Sequence, residues 1–130
     1  LGRPRGKERV VACFDAARLR IALYQVLRNA YEALPQGGSV TVRLSCDPAA
    51  GLASIALSDT GPGFSEEALA QVFSPFTTGK PGHLGIGLAL ARRILRRLGG
   101  DVEAGPAPGK GALVTLRLPM QVCEPPPLGP

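Results

Sequence analysis

Three short stretches of the sequence carry residue types that can do chemistry. The first is Asp59 with Gly61 and Gly63, directly after an apolar run that is typical of a strand. A carboxylate only accepts hydrogen bonds, so it suits the exocyclic amine of adenine, which donates one, and not the keto oxygen of guanine. Glycines let the backbone come close to a base and adopt turns that other residues avoid. Such a short turn is also common without any ligand, so this stretch alone leaves both interpretations open.

The second stretch opens a predicted helix with a glycine motif. It consists of Gly85, Ile86, Gly87 and Leu88. The free N–H groups and the dipole at a helix N-terminus bind anions such as phosphate. Close packing of a helix on a sheet explains two glycines equally well. Lys80, in the preceding loop, is either a point charge for a terminal phosphate or an ordinary exposed lysine.

The third stretch is a polar row on a predicted amphipathic helix. Gln25, Asn29 and Glu32 recur at helical spacing along one border of an apolar stripe. The amide oxygen of Asn29 suits a Mg²⁺ ion that keeps several waters and bridges phosphates, although such an asparagine is most often a plain surface residue. Taken together, the three stretches predict a site that binds a purine through a carboxylate, and a polyphosphate through backbone amides, Asn29 and a metal.

Composition and charge argue against several classes of protein. The 130 residues are 45% hydrophobic, which suffices for one domain with a core, and no apolar run is long enough to predict a membrane span. The formal net charge is +5, but residues 1–9 hold four basic residues against one acidic residue and no aromatic residue. We therefore expect a solvated lead-in, without nucleic-acid binding or direct membrane contact. The widely spaced Cys13, Cys46 and Cys123 indicate ordinary thiols in a reducing cytosol.

Hydrophobic periodicity predicts an α+β fold, a two-layer α/β sandwich whose mixed, mostly antiparallel sheet has its helices packed on one face. In chain order we predict an edge strand (10–14), a helix capped by Asp15 (to about Leu34), a hairpin of two strands (39–45 and 52–58), a short helix (65 to about 73), a helix (86–98) and a last strand pair (101–104 and 112–118). We predict a flexible basic lead-in at 1–9, the folded domain at 10–120 and a Pro-rich disordered tail at 121–130. Because the chain begins with Leu1, we expect it to be part of a longer protein.

The order of the motifs resembles the N, G1, F and G2 boxes of the histidine-kinase catalytic domain, in the superfamily of gyrase, Hsp90, histidine kinases and MutL. The matching segments are 24–30, 59–63, 73–80 and 85–91, in that order. Residues 109–111 and 116–119 resemble the family's last strand. The resemblance covers about 10–120 and is greatest to sensor kinases of the nitrogen-regulator type.

The resemblance implies a Bergerat-type fold that binds ATP with Mg²⁺, with Asn29 on the metal and Asp59 on adenine. It gives Asn29 and Lys80 as the catalytic residues and Gln25 as a second candidate metal ligand. The other nucleotide contacts implied are Gly61, Gly63, Phe76, Thr77, Thr78, Gly85, Ile86, Gly87 and Leu88. A mobile lid would span about 74–84.

The resemblance also implies partners. The γ-phosphate would pass to a histidine on a separate dimerisation domain and then to an aspartate on a response regulator. The only histidine of this chain, His83, lies in the predicted lid and not on a helix, so it is a poor phosphoacceptor. We expect a cytoplasmic domain that is monomeric in isolation.

Three positions depart from the family's pattern. Gln25 stands where the family often has Asn or His. The ATP-hydrolysing branches of the superfamily carry Glu at this position as general base. Because Gln cannot remove a proton from water, the sequence disfavours an ATPase of the gyrase or MutL kind. Glu32 replaces a residue that is often basic, and Ala112 follows Gly111 where Thr is common. Two alternatives stay open: a serine kinase of the anti-sigma-factor type, and a degenerate domain that binds nucleotide without transfer.

Overall fold

The computed structural model describes residues 15–74 and 87–119. Its elements are α1 (Ala16–Glu32), β1 (Val40–Asp47), β2 (Leu52–Asp59), α2 (Glu66–Ala70), α3 (Gly87–Arg97), β3 (Asp101–Pro106) and β4 (Ala112–Pro119). The predicted lead-in, edge strand and tail lie outside the described residues, as does nearly all of the predicted lid. Within the described part of the chain, no helix is both long and apolar enough to cross a bilayer.

The four strands form one antiparallel sheet in the order β1-β2-β4-β3. In the register, Leu57 lies between Val42 and Val114, and Leu116 lies opposite Val102. Alternate residues of β4 are buried, as expected of a strand that turns one face to the core. The predicted hairpin and the predicted two-layer fold class are confirmed.

The core lies between this face of the sheet and the two longer helices. Its most enclosed large side chains are Val26 from α1, Leu95 from α3, and Val102 and Leu116 from the sheet. Full burial of a Val or Leu side chain contributes about 1.5–3 kcal/mol, so these contacts hold α1 and α3 on the sheet.

The helix ends follow local side-chain chemistry. Asp15 caps α1 as predicted and accepts a hydrogen bond from the N–H of Arg18 at 3.2 Å. Helix α1 ends at Glu32, before the predicted end near Leu34, because Pro35 disfavours helical geometry in the residue before it. Helix α2 is also shorter than predicted: it ends at Ala70, and residues 71–74 form tight turns instead.

The buried stripe of α3 is rotated from the predicted one. We predicted that Leu90, Ala91, Ile94 and Leu98 point inward, together with Ile86, which lies outside the described residues. The structure buries Leu88, Ala91 and Leu95. Ile94 and Leu98 are half-buried and pack against the same core as predicted, and Leu90 is half-buried. Helix α3 packs against both α1 and the sheet, so its apolar arc is wide and the sequence pattern did not define its centre.

Two glycines end α3 in a left-handed turn. Gly99 has φ of +89°, and its N–H donates to the carbonyl of Arg96 at 3.1 Å. The N–H of Gly100 donates to the carbonyl of Leu95 at 2.8 Å, which completes a Schellman motif. A β-carbon on Gly100 would collide with the carbonyl oxygen of Arg117 in β4, so the turn passes directly over the sheet.

A charged cluster joins α3 to β3 and to the turn after α2. Asp101 accepts hydrogen bonds from Arg92 Nε at 3.0 Å, from Arg96 Nε at 3.2 Å and from the N–H of Val102 at 2.8 Å. The guanidinium of Arg92 also stacks on Phe73, 4.5 Å from the ring centroid. Burial raises the pKa of Asp101, but the hydrogen bonds from Arg92 and Val102 and the charge of Arg92 outweigh it, so the net shift of this pKa is downward.

Replacing Asp101 with asparagine should lower the free energy of unfolding at pH 7 by about 0.5–1 kcal/mol, because both ion pairs are partly exposed and screened by solvent. The pKa of Asp101 is lower in the folded protein than in the unfolded chain, so its stabilising effect requires the ionised carboxylate. The difference in unfolding free energy between wild type and variant should therefore be complete above the ordinary pKa of 3.8. It should vanish as the pH falls through the lower pKa of the folded state. Urea titrations followed by circular dichroism between pH 2.5 and 7 measure this difference.

Glu103→Gln is the matched control, since Glu103 makes one ion pair with Arg117 and is more exposed than Asp101. It should change the unfolding free energy by less than about 0.5 kcal/mol. Equal losses of unfolding free energy in the two variants would show that Asp101 stabilises the fold no more than an exposed ion-paired residue does.

Candidate functional site

The site is centred on Asp59, the last residue of β2. Asp59 is only 4% exposed and is the one buried charged residue in the part of the chain that the structure describes. Its Oδ1 accepts hydrogen bonds from the N–H groups of Gly61 at 2.9 Å and Ala112 at 3.2 Å. Within residues 15–74 and 87–119 no group donates to Oδ2. Two backbone amides therefore fix the carboxylate, and Oδ2 can still accept a hydrogen bond.

Two glycines let the start of β4 reach Asp59. Gly111 has φ of +104°, and a β-carbon there would collide with the carbonyl oxygen of Asp59. Gly63 has φ of +77°, and its β-carbon would lie 2.9 Å from the carbonyl oxygen of Gly111. The prediction that Gly63 contacts nucleotide stays a prediction; the structure gives it a packing role between two backbone segments.

Sequence reasoning did not include Gly111 and Ala112 among the candidate site residues, and it related Ala112 to the base only through a polar side chain that alanine lacks. The available signal was the Gly-x-Gly at 109–111 immediately before the last strand. The sequence could not indicate that Ala112 supports the carboxylate, because Ala112 does so through its backbone N–H and not through its side chain.

The turn after β2 is also packed against the C-terminal end of α1. A β-carbon on Gly61 would lie 2.8 Å from the carbonyl oxygen of Ala33. Thr60 donates its N–H to the carbonyl of Ser39 at 3.2 Å, and its hydroxyl accepts from the N–H of Ser39 at 3.1 Å. Asn29 lies one turn before Ala33, so these contacts fix the position of Asn29 relative to Asp59.

Helix α1 meets the first residue of α3 at Gln25. An ideal β-carbon on Gly87 would lie 3.1 Å from Oε1 of Gln25. The structure thus places Gln25 of the polar row beside Gly87 of the glycine motif. Leu88 is 6% exposed and its side chain belongs to the core, so a contact between Leu88 and nucleotide stays a prediction.

Glu32 adds negative charge near Asn29, but it is paired. Its Oε1 accepts a hydrogen bond from Arg28 Nε at 2.8 Å. Glu32 is therefore ion-paired with Arg28 on α1.

Several predicted site residues lie outside the described residues. They are Phe76, Thr77, Thr78, Lys80, Gly85 and Ile86, together with His83. Among residues 15–74 and 87–119 no group of three His, Cys, Asp or Glu side chains could hold a metal ion. That the amide oxygen of Asn29 holds Mg²⁺, with phosphates and water as the other ligands, stays a prediction.

Comparison with known proteins adds independent evidence. Residues 14–122 match the family described as histidine kinase-, DNA gyrase B-, and HSP90-like ATPase. The sensor histidine kinase ZraS of Klebsiella oxytoca is 36% identical over 107 residues, which cover 82% of this chain and 23% of ZraS. The chain therefore spans about a quarter of the length of this relative.

Solved structures agree with the sequence matches. The mycobacterial sensor histidine kinase MprB superposes with a TM-score of 0.75 at 30% identity, over 83% of this chain and 76% of the MprB chain. Full-length ShkA, solved in complex with AMPPNP, superposes with a TM-score of 0.73 at 28% identity, over 88% of this chain and 24% of ShkA. The motif order, the fold and these matches together show that the chain belongs to the family of histidine kinase-, DNA gyrase B- and HSP90-like ATPases, whose domain binds ATP.

Proposed function

We propose that this chain is the ATP-binding catalytic domain of a two-component sensor histidine kinase, which transfers the γ-phosphate of ATP to a histidine on a separate dimerisation domain. The observation that carries the proposal is Asp59, a buried carboxylate with Oδ1 held by two amides and Oδ2 left as an acceptor. The similarity to ZraS, MprB and the AMPPNP complex of ShkA supports it.

Asp59 selects the base in this proposal. Oδ2 accepts a hydrogen bond from the exocyclic amine of adenine. Guanine would place a keto oxygen against the same carboxylate, and two acceptors repel each other. Because Asp59 is almost fully buried, a missing partner costs more here than it would in water.

Asn29, Lys80 and the start of α3 act on the phosphates. Mg²⁺, when bound, would supply positive charge that offsets the charge of the phosphates, and the amide oxygen of Asn29 would hold it. The N–H groups in the first turn of α3 lack helical partners and donate to phosphate oxygens. Lys80 is proposed to neutralise charge on the transferred group. The domain thus contributes positioning and charge neutralisation and no covalent intermediate.

The acceptor and the cellular setting are also part of the proposal. The dimerisation domain supplies the nucleophilic histidine, and a response regulator then receives the phosphate on an aspartate. We place the domain at 10–120, in the cytoplasm and monomeric in isolation. Gln25 cannot act as a general base, which favours transfer to a protein side chain over ATP hydrolysis.

Asp59→Asn should weaken the binding of ATP and ADP about 10- to 100-fold, since hydrogen bonds to charged groups contribute about 1.5–3 kcal/mol. The two backbone N–H donors should keep the asparagine oxygen where Oδ1 lies, so its NH₂ group would face the amine of adenine, donor against donor. The same NH₂ group suits the keto oxygen of guanine, so the preference for ATP over GTP should shrink. Titration calorimetry with both nucleotides measures these changes.

Asp47→Asn is the matched control, because it removes the same charge from an exposed hairpin residue that also accepts a backbone N–H, from Ala50. It should bind both nucleotides as wild type does. Wild-type protein that is folded yet binds no ATP at millimolar concentration would refute the proposed function.

Asn29→Ala should abolish the gain in ATP affinity that Mg²⁺ gives and reduce phosphotransfer to a supplied dimerisation domain by about 10²–10³-fold. Arg20→Ala is the control, since Arg20 lies nine residues away, on the opposite side of α1. Labelled phosphate from ATP and acid treatment of the product measure transfer, because phosphohistidine is acid-labile. An acid-stable product would point to a serine kinase, and binding without transfer would point to a degenerate domain.

A further inference from the structure

We infer that Gln25 is a positioning residue that sets the first turn of α3 against α1, and so controls affinity for the phosphate chain without binding the metal. The inference rests on the proposed function, since it assigns a role within the same site. It concerns the contact between Gln25 and Gly87, which joins the two motif-bearing helices.

The approach is closest at the side-chain amide oxygen of Gln25. An ideal β-carbon on Gly87 would lie 3.1 Å from Oε1, 3.9 Å from Cβ and 3.9 Å from the carbonyl oxygen of Gln25. A carbon at 3.1 Å from Oε1 is closer than ordinary van der Waals contact, so a side chain at position 87 would force Gln25 or the helix turn to move.

Backbone conformation does not explain the glycine at position 87. Gly87 does not have the left-handed φ that Gly63 and Gly111 adopt. It is the first residue of α3, and a glycine in a helix is less stable than an alanine by up to about 1 kcal/mol. The described group that an alanine at this position would meet is Gln25, whose side chain would have to shift by a few tenths of an ångström.

The pair also acts where phosphate is proposed to bind. The first N–H groups of α3 are its anion-binding donors, and their position relative to Asn29 depends on how closely α3 approaches α1. Gln25 lies one turn before Asn29 on the same helix. The side-chain amide of Gln25 makes no hydrogen bond within the described parts of the chain, so it acts here by filling space.

The experiment compares Gln25→Met, Gln25→Ala, Gly87→Ala and the Gln25→Ala/Gly87→Ala double variant. Methionine keeps the length of the side chain and lacks the amide. Calorimetric titration with ATP, ADP and adenosine, with and without Mg²⁺, separates contacts to the phosphates from contacts to the base.

We expect Gln25→Met to retain ATP affinity and its dependence on Mg²⁺. Gln25→Ala and Gly87→Ala should each weaken ATP and ADP binding by about threefold or more, and leave adenosine binding unchanged. In the double variant the new methyl group occupies space that the truncated side chain has left. Its loss of ATP affinity should therefore be smaller than the product of the two single losses.

Loss of the Mg²⁺ dependence in Gln25→Met would overturn the inference and make Gln25 a metal ligand. Independent effects of the two alanine substitutions would also overturn it. If wild type binds no adenine nucleotide, the proposed function fails, and the contact is tested instead by the unfolding free energies of the same variants. Non-additive unfolding free energies would then support the contact, and additive values would refute it.

Discussion

The candidate site depends on one interaction, the pair of backbone N–H groups that hold Oδ1 of Asp59. A buried carboxylate without partners is costly, because it loses its hydration and gains nothing in return. Here the N–H groups of Gly61 and Ala112 replace water on one oxygen. The same two bonds tie the end of β2 to its following turn and to the start of β4. Stability of the fold and orientation of the carboxylate therefore have a common source.

Close backbone approaches arrange the remaining parts around this carboxylate. Gly61 brings the turn onto the end of α1, Gly111 brings β4 onto Asp59, and Gly87 brings α3 onto Gln25. Each approach leaves no room for a β-carbon, or very little. The glycines of the motifs thus serve the relative placement of helices and strands, before any contact that they make with a ligand.

Much of this could be predicted from the sequence, because the relevant signals are local. Asp15 and Ser65 marked helix starts through capping side chains, and the turn residues at 47–51 marked the hairpin. The order of four motifs predicted the family. The signals that failed are long-range: the rotation of α3 depends on packing against two layers, and the support that Ala112 gives to Asp59 uses a backbone group that every residue except proline has.

The strand order determines how firmly Asp59 is held in place before any ligand binds. Strands β2 and β4 are the two inner strands of the described sheet, and both groups that hold Oδ1 lie at or just beyond their adjoining ends. Hydrogen exchange in proteins is slowest in central strands, since local opening begins at edges and termini. The carboxylate is accordingly preorganised in the free domain. Under the proposed function, an incoming base finds its acceptor already oriented, and the contact costs the protein little conformational entropy.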